Sequence, residues 1–207
     1  MARDDERQAR AIEQPIVGGL PDAPGIVTAL ALTPNLGLHL RGLADELLVN
    51  TFPGATLTRA EREMIATAVS AANDCFYCMD SHGAHALALL ERSDAMDLAP
   101  VIDLLKVGSS QGLSDKMCAL LHIARAVRGD ARELSADDVE AALAAGATDA
   151  DVQLAVLIAA GFSMYNRMVE GFRARTPPTT DAFRERAAQI AENGYSAPPI
   201  ARARNEP

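Results

Sequence analysis

The 207-residue sequence has no tryptophan, and its aromatic content is only 4%. Because 49% of the chain is nonetheless hydrophobic, its core must be built from aliphatic side chains and methionine. β-Branched and aromatic strand formers are scarce beside alanine and leucine, which lose little freedom in a helix, so the expected fold is all-α. Cysteine is sparse as well: three thiols, an odd number, make no disulfide framework and suit a reducing compartment. No apolar stretch near the start resembles a signal peptide, because residues 1–15 carry Arg3, Asp4, Asp5, Glu6, Arg7 and Arg10. The longest apolar run, 154–162, is far short of the ~20 residues needed to cross a bilayer. A cytoplasmic location without membrane attachment is the expectation. Basic charge is also short, 19 Lys and Arg against 28 Asp and Glu, and the net charge of −9 disfavours nucleic acid or anionic membrane as a partner. Gly-x-Gly-x-x-Gly, Walker and Gly-x-Ser-x-Gly patterns are missing, so nucleotide binding and serine hydrolysis have no handle.

What is present is helical punctuation. A charged N-terminal tail over 1–15 and a Pro- and Arg-containing tail over 194–207 flank a single helical domain over 16–193. A short apolar segment spans 26–32, and Pro34 and Asn35 open a helix over 36–49 that stops near Pro53 and Gly54. Thr58 and Glu61 form a capping box ahead of Met64, Ile65, Ala68 and Val69 at helical spacing. Further helices are predicted over 75–91 with Asp74 as the start signal, over 93–106 with a junction at Pro100, and from Ser114, Ser135 and Thr148. The last of these is long and apolar, about 149–173. A final amphipathic helix covers 181–192, stopped by Asn193 and Gly194. Leu57-Thr58 with Met64-Ile65-Ala66 matches Leu113-Ser114 with Leu120-Leu121-His122 without gaps, and Asp74 matches Asp130. The bundle could therefore be an internal duplication in which only the first copy carries paired thiols.

That pair lies in Cys75-Phe76-Tyr77-Cys78-Met79-Asp80-Ser81-His82. Two cysteines three apart at a helix start share one face, where free amide N–H groups and the macrodipole favour a thiolate. Thiols this close can also close a reversible disulfide. His82, four residues past Cys78, puts an acid/base group one turn below them. The dipole favours Cys75 as the thiolate and proximity to His82 favours Cys78, so the spacing leaves the order open. Zinc is the competing chemistry, with Cys75, Cys78, His82 and His85 as donors. On one straight helix, however, Cys75 and His82 stand about 10 Å apart along the axis, too far to converge easily on one ion. A redox sensor or adaptor that uses the same disulfide without turnover is the other rival, and a purely apolar role for the cysteines fits poorly beside Asp74, Asp80 and His82. Cys118 and His122 share the i,i+4 relation but sit among apolar residues, so core packing is expected there. His39 reads as structural or exposed.

Glu63, Met64-Ile65-Ala66, Val69 to Asn73, Cys75-Phe76-Tyr77-Cys78 and His82 together resemble the signature of the AhpD-like, carboxymuconolactone decarboxylase-type alkylhydroperoxidase family, in its peroxidase-related branch. The resemblance implies an AhpD-like helical bundle and a thiol-dependent peroxidase or disulfide oxidoreductase that needs no cofactor or metal. It implies Cys78 as the thiol oxidised to a sulfenic acid and Cys75 as the resolving thiol. Glu63, twelve positions ahead of Cys75, would act with His82 as a proton relay, while Glu61 serves as a cap. A hydroperoxide substrate, an external dithiol or thiol-protein reductant and a homo-oligomer, a trimer or a multiple of one, follow from the same resemblance. The chain departs from many members at Tyr77, where they carry histidine, so donor and peroxide do not carry over. His85, on the stripe of Cys78 and His82, and Tyr77 are accessory candidates. Decarboxylase members lack the thiol pair, which argues against lactone decarboxylation here.

Overall fold

The structure, a computed structural model, describes residues 15–196 together with Asp5 and Ala9. Apart from those positions, the expectations for the two tails lie outside the described residues. Among the described residues there are nine α-helices and no strand: α1 Ile26–Leu30, α2 Pro34–Leu48, α3 Arg59–Ala72, α4 Phe76–Arg92, α5 Ala99–Lys106, α6 Asp115–Arg128, α7 Ala136–Ala144, α8 Asp149–Phe172 and α9 Arg184–Asn193. The all-α expectation holds, and the helix starts follow from their caps. Thr33, Thr58, Ser114, Ser135 and Thr148 each accept a backbone N–H in the first turn, and at Thr58, Ser135 and Thr148 an acidic residue reaches back to complete a capping box.

The predicted helix over 93–106 is instead a 3₁₀ turn, Met96–Leu98, followed by α5, because Pro100 is acceptable only in a helix's first turn. The last helix likewise begins as a 3₁₀ turn, Thr180–Phe183, and becomes α-helical at Arg184. The matching segments form α3 and α6, of fourteen residues each, with Met64, Ile65, Leu120 and Leu121 fully buried. The match breaks at its third position, where Ala66 is buried and His122 is exposed.

α3 and α4 make the most extensive helix pair, α8 packs on α6 and α3, and α9 covers α4. α8 is long and apolar enough to cross a membrane by length and composition, which the count of its uninterrupted apolar run did not reveal, and 50% of its most apolar window is buried inside the protein. A core helix of a bundle passes the same test.

The α3–α4 junction places the thiols. Asp74 adopts a left-handed conformation (φ 54°), and the N–H groups of Cys75 and Asp74 donate to the Ser70 and Ala71 carbonyls, a Schellman pairing that ends α3 and starts α4 two residues later. Asp74 is therefore the hinge of the turn, and Cys75 itself occupies the N-cap position of α4. A second anchor is Asp151 in the first turn of α8. Its buried carboxylate accepts from Thr148 N–H, from Thr56 N–H and hydroxyl, and from Leu57 N–H, tying the segment before α3 to the start of α8.

Burial alone would raise the Asp151 pKa, but those hydrogen bonds outweigh it and lower it to about 2. A folded-state pKa below the unfolded one gives stability that is complete above about pH 4 and lost as pH falls through the folded value. Asp151→Asn is expected to be about 2 kcal/mol less stable at neutral pH and to lose less stability on acidification than the parent chain. Urea denaturation at several acid pH values checks this, and parallel pH profiles would contradict it.

Candidate active site

Glu63 lies in the second turn of α3, fully buried, and His82 in the second turn of α4, 8% exposed. Antiparallel packing of the two helices brings His82 Nδ1 to 2.7 Å from Glu63 Oε2. His85, one turn further along α4 and 2% exposed, has its Nδ1 3.8 Å from the same oxygen. Burial would raise the Glu63 pKa, yet its ion pair and hydrogen bond with His82, with His85 adding, lower it to about 2. Glu63 is thus a carboxylate, which only accepts hydrogen bonds. His82 Nδ1 must therefore carry the hydrogen, leaving Nε2 as the basic nitrogen. The ring is held edge-on against Phe162, with centroids 4.5 Å apart.

A third member of the cluster comes from the end of the chain. The Tyr195 hydroxyl donates to Glu63 Oε1 at 2.7 Å and lies 2.9 Å from His85 Nδ1. Burial and the Glu63 charge hold the Tyr195 pKa well above its usual range, so it keeps its proton. Since that proton goes to Glu63, the hydroxyl oxygen accepts from His85 Nδ1–H. Burial lowers the His85 pKa against the pull of Glu63, which favours a neutral ring. Tyr195 and Ser196 are fixed by their backbone N–H groups, which donate to the Asp45 carboxylate of α2. Sequence reasoning assigned Tyr195 to a tail because 194–207 has no periodic apolar face. The only signal was a lone aromatic residue just past Gly194.

The thiols lie at the start of the helix that carries His82, Cys78 one turn and Cys75 two turns ahead of it. Cys75 is fully buried and Cys78 is 2% exposed. The Cys75 pKa is raised well above the ordinary value, first by its hydrogen bond to the Cys78 thiol and then by burial, with Glu170 adding a like-sign charge. The spacing left the order of the thiols open, and for Cys75 the neighbouring sulfur and burial outweigh the pull of the helix dipole. Among the described residues no hydrogen bond joins Cys78 to His82, but both line one cavity of about 50 Å³, walled by Ile26, Leu30, Leu40, Phe162 and Tyr195. Tyr77 stacks edge-on against Phe183 with ring centroids 5.2 Å apart. It packs so tightly on Gly25 that a Cβ there would lie 2.2 Å from the ring, and Gly25 also has φ 51°, so only glycine fits.

Of the sequence candidates, the structure brings together Glu63, His82 and His85, while Cys78 lines a cavity with His82 and Cys75 is hydrogen-bonded to Cys78. Glu61 is the cap of α3, as expected. His122 departs from the core-packing expectation: its side chain is exposed and pairs with Asp138 of α7 at 2.9 Å, a partner 16 residues away that helical spacing cannot reveal. Cys118 is half-buried with its sulfur toward the Ser110 and Leu113 carbonyls, and His39 is exposed. Among the described residues the cluster that could hold a metal is Glu63, His82 and His85, with donor atoms within 4.8 Å, and neither thiol belongs to it. Two ligands on a tetrahedral zinc ion stand about 3.3 Å apart, whereas His82 and Glu63 are already at direct hydrogen-bond distance. The arrangement is built to share a proton.

The carboxymuconolactone decarboxylase family profile matches residues 40–105, from α2 through α4 and most of α5. A crystal structure described as an alkylhydroperoxidase AhpD core, an uncharacterized peroxidase-related protein from Ralstonia eutropha JMP134, is 30% identical with a TM-score of 0.65, covering 80% of this chain and 82% of that one. An uncharacterized peroxidase-related protein from Silicibacter sp. TM1040 shares the fold at 23% identity and a TM-score of 0.63, over 81% of this chain and 91% of that one. Among curated proteins, none matches.

Replacing Glu63 by alanine leaves the buried His82 Nδ1–H and Tyr195 hydroxyl without their acceptor, and a loss of about 2–4 kcal/mol is expected. Tyr195→Phe removes one hydroxyl and is expected to cost about 1–2 kcal/mol. Urea denaturation of the two variants measures both. A Tyr195→Phe protein as stable as the parent would contradict the buried network.

Proposed function

Because the chain belongs to the carboxymuconolactone decarboxylase family as an AhpD-like member, we propose that it is a thiol-dependent peroxidase in which Cys78 attacks a hydroperoxide and Cys75 resolves the product. The observation that carries this reading is the buried Glu63–His82 hydrogen bond, which leaves His82 Nε2 as a base bordering the same cavity as Cys78. Cys78 gives its proton to that nitrogen, across the cavity or through one water. The thiolate attacks the terminal oxygen of R–O–OH, the O–O bond breaks, and the alkoxide leaves with the proton from His82 as R–OH. Cys78 is left as a sulfenic acid. The Cys75 sulfur then bonds to that of Cys78, and the hydroxide displaced takes up the Cys75 proton as water. The hydroperoxide has been reduced to alcohol and water, and two thiols have become one disulfide.

An external dithiol, small or protein-borne, closes the cycle by exchange, which suits a reducing, cytoplasmic setting. The raised pKa of Cys75 supports its role as the resolving thiol, since it stays protonated while Cys78 reacts. Tyr195 positions Glu63 by a direct hydrogen bond, and His85 in turn holds the Tyr195 hydroxyl. The exposed Leu36, Leu38 and Leu43 of α2 and Leu157 of α8 support assembly into a homo-oligomer.

The test is mass spectrometry after a peroxide pulse, with steady-state peroxide consumption alongside. The parent chain should form a Cys75–Cys78 bridge that a dithiol reverses over many turnovers. Cys75→Ser should stall as a sulfenic acid trapped by dimedone, and Cys78→Ser should lose peroxide consumption by at least about a hundredfold. Full turnover by Cys78→Ser contradicts the reading. A single oxidation without repeated turnover would assign the disulfide to sensing.

A further inference from the structure

A second cavity, of about 290 Å³, adjoins the reactive site between α1, α4 and the Thr180–Phe183 turn with α9. Its walls are mainly apolar, formed by Ile26, Val27, Leu30, Phe183 and the Tyr77 ring. Two guanidinium groups interrupt them, Arg41 from α2 and Arg186 from α9, both half-buried. Arg41 also borders the smaller cavity on Cys78, and Ile26, Leu30, His82 and Tyr195 line both spaces with it. Among the described residues no aspartate or glutamate lines either one.

No carboxylate among the described residues compensates the two arginines. Among the described residues neither forms an ion pair, and the one side-chain hydrogen bond of Arg186 is a long one, 3.4 Å, to Gln189. Burial lowers the Arg186 pKa, and Arg41 lowers it further by repulsion. In a chain of net charge −9, two cations facing one apolar cleft without a carboxylate form a configuration that an anion would relieve. Planar guanidinium groups match a carboxylate in geometry as well as charge.

We propose that the larger cleft binds an aliphatic carboxylate, with its charged end on Arg41 and Arg186 and its chain along Ile26, Leu30 and Phe183. For the reacting end this rests on the peroxidase reading: the substrate class is then a hydroperoxide of an aliphatic acid, its carboxylate on the arginines and its O–O group at Cys78. The apolar walls select the body of the substrate and the arginines select its charge.

Two measurements on the full chain test this separately from turnover. Calorimetric titration of the reduced protein with octanoate and with octanol should show the acid bound about tenfold more tightly. The double substitution Arg41→Gln, Arg186→Gln should bring the two affinities together, with circular dichroism reporting its fold. If that variant does not fold, the parent comparison decides alone. Equal affinities in the parent chain, or a preference that survives in the folded double variant, overturn the proposal. The kinetic counterpart compares a fatty-acid hydroperoxide with its methyl ester, for which kcat/KM should favour the acid by about tenfold. Equal values overturn the substrate assignment. Failure to reduce any hydroperoxide would count against the peroxidase reading, while octanoate binding would still decide the carboxylate site.

Discussion

A carboxylate sealed against an imidazole is the constraint on which the site depends. Glu63 has no exposure and would be untenable in apolar surroundings without His82 at 2.7 Å and the Tyr195 hydroxyl on its other oxygen. The pairing dictates the tautomer of His82, and the tautomer dictates where a basic nitrogen is available. It also ties three parts of the bundle together, because α3 supplies the acid, α4 the imidazoles and the segment after α9 the phenol. The site is part of the packing of the fold, and the charge it holds is offset by partners rather than by water.

The placement of sulfur follows from backbone geometry one step away. A left-handed Asp74 lets α3 end and α4 begin with only three residues between them, so Cys75 occupies the N-cap of the new helix and Cys78 lies in its first turn. Both thiols are then withdrawn from solvent, and two sulfurs in contact cannot both ionise easily. The Cys75 pKa rises, and what the terminal dipole offers is overridden by desolvation and by the neighbouring thiol. A thiol held protonated in this way suits the waiting partner of a two-thiol cycle.

Much of this was legible in the residues. The capping boxes at Thr58, Ser135 and Thr148 are local, sequence-encoded hydrogen bonds, and the helices start there. Glu63 could be separated from Glu61 because one lies three residues after a threonine cap and the other does not. What was illegible depends on contacts between distant parts of the chain. Tyr195 enters the site only because Asp45, 150 residues earlier, holds its backbone. His122 turns outward because α7 presents Asp138. The dipole's pull on Cys75 was a one-helix argument, and the Cys78 sulfur together with burial outweighs it. Arg41 and Arg186, far apart in sequence, meet only at the cleft.

The central claim is that the fold makes the two thiols unequal: Cys78 shares a cavity with His82, and the pKa of Cys75 is raised by its neighbouring sulfur and by burial. Brief alkylation of the reduced protein with iodoacetamide at neutral pH, followed by peptide mass mapping, measures this inequality directly. Cys78 should be modified at least about tenfold faster than Cys75. Modification of Cys75 first, or of both at the same rate, would contradict the account.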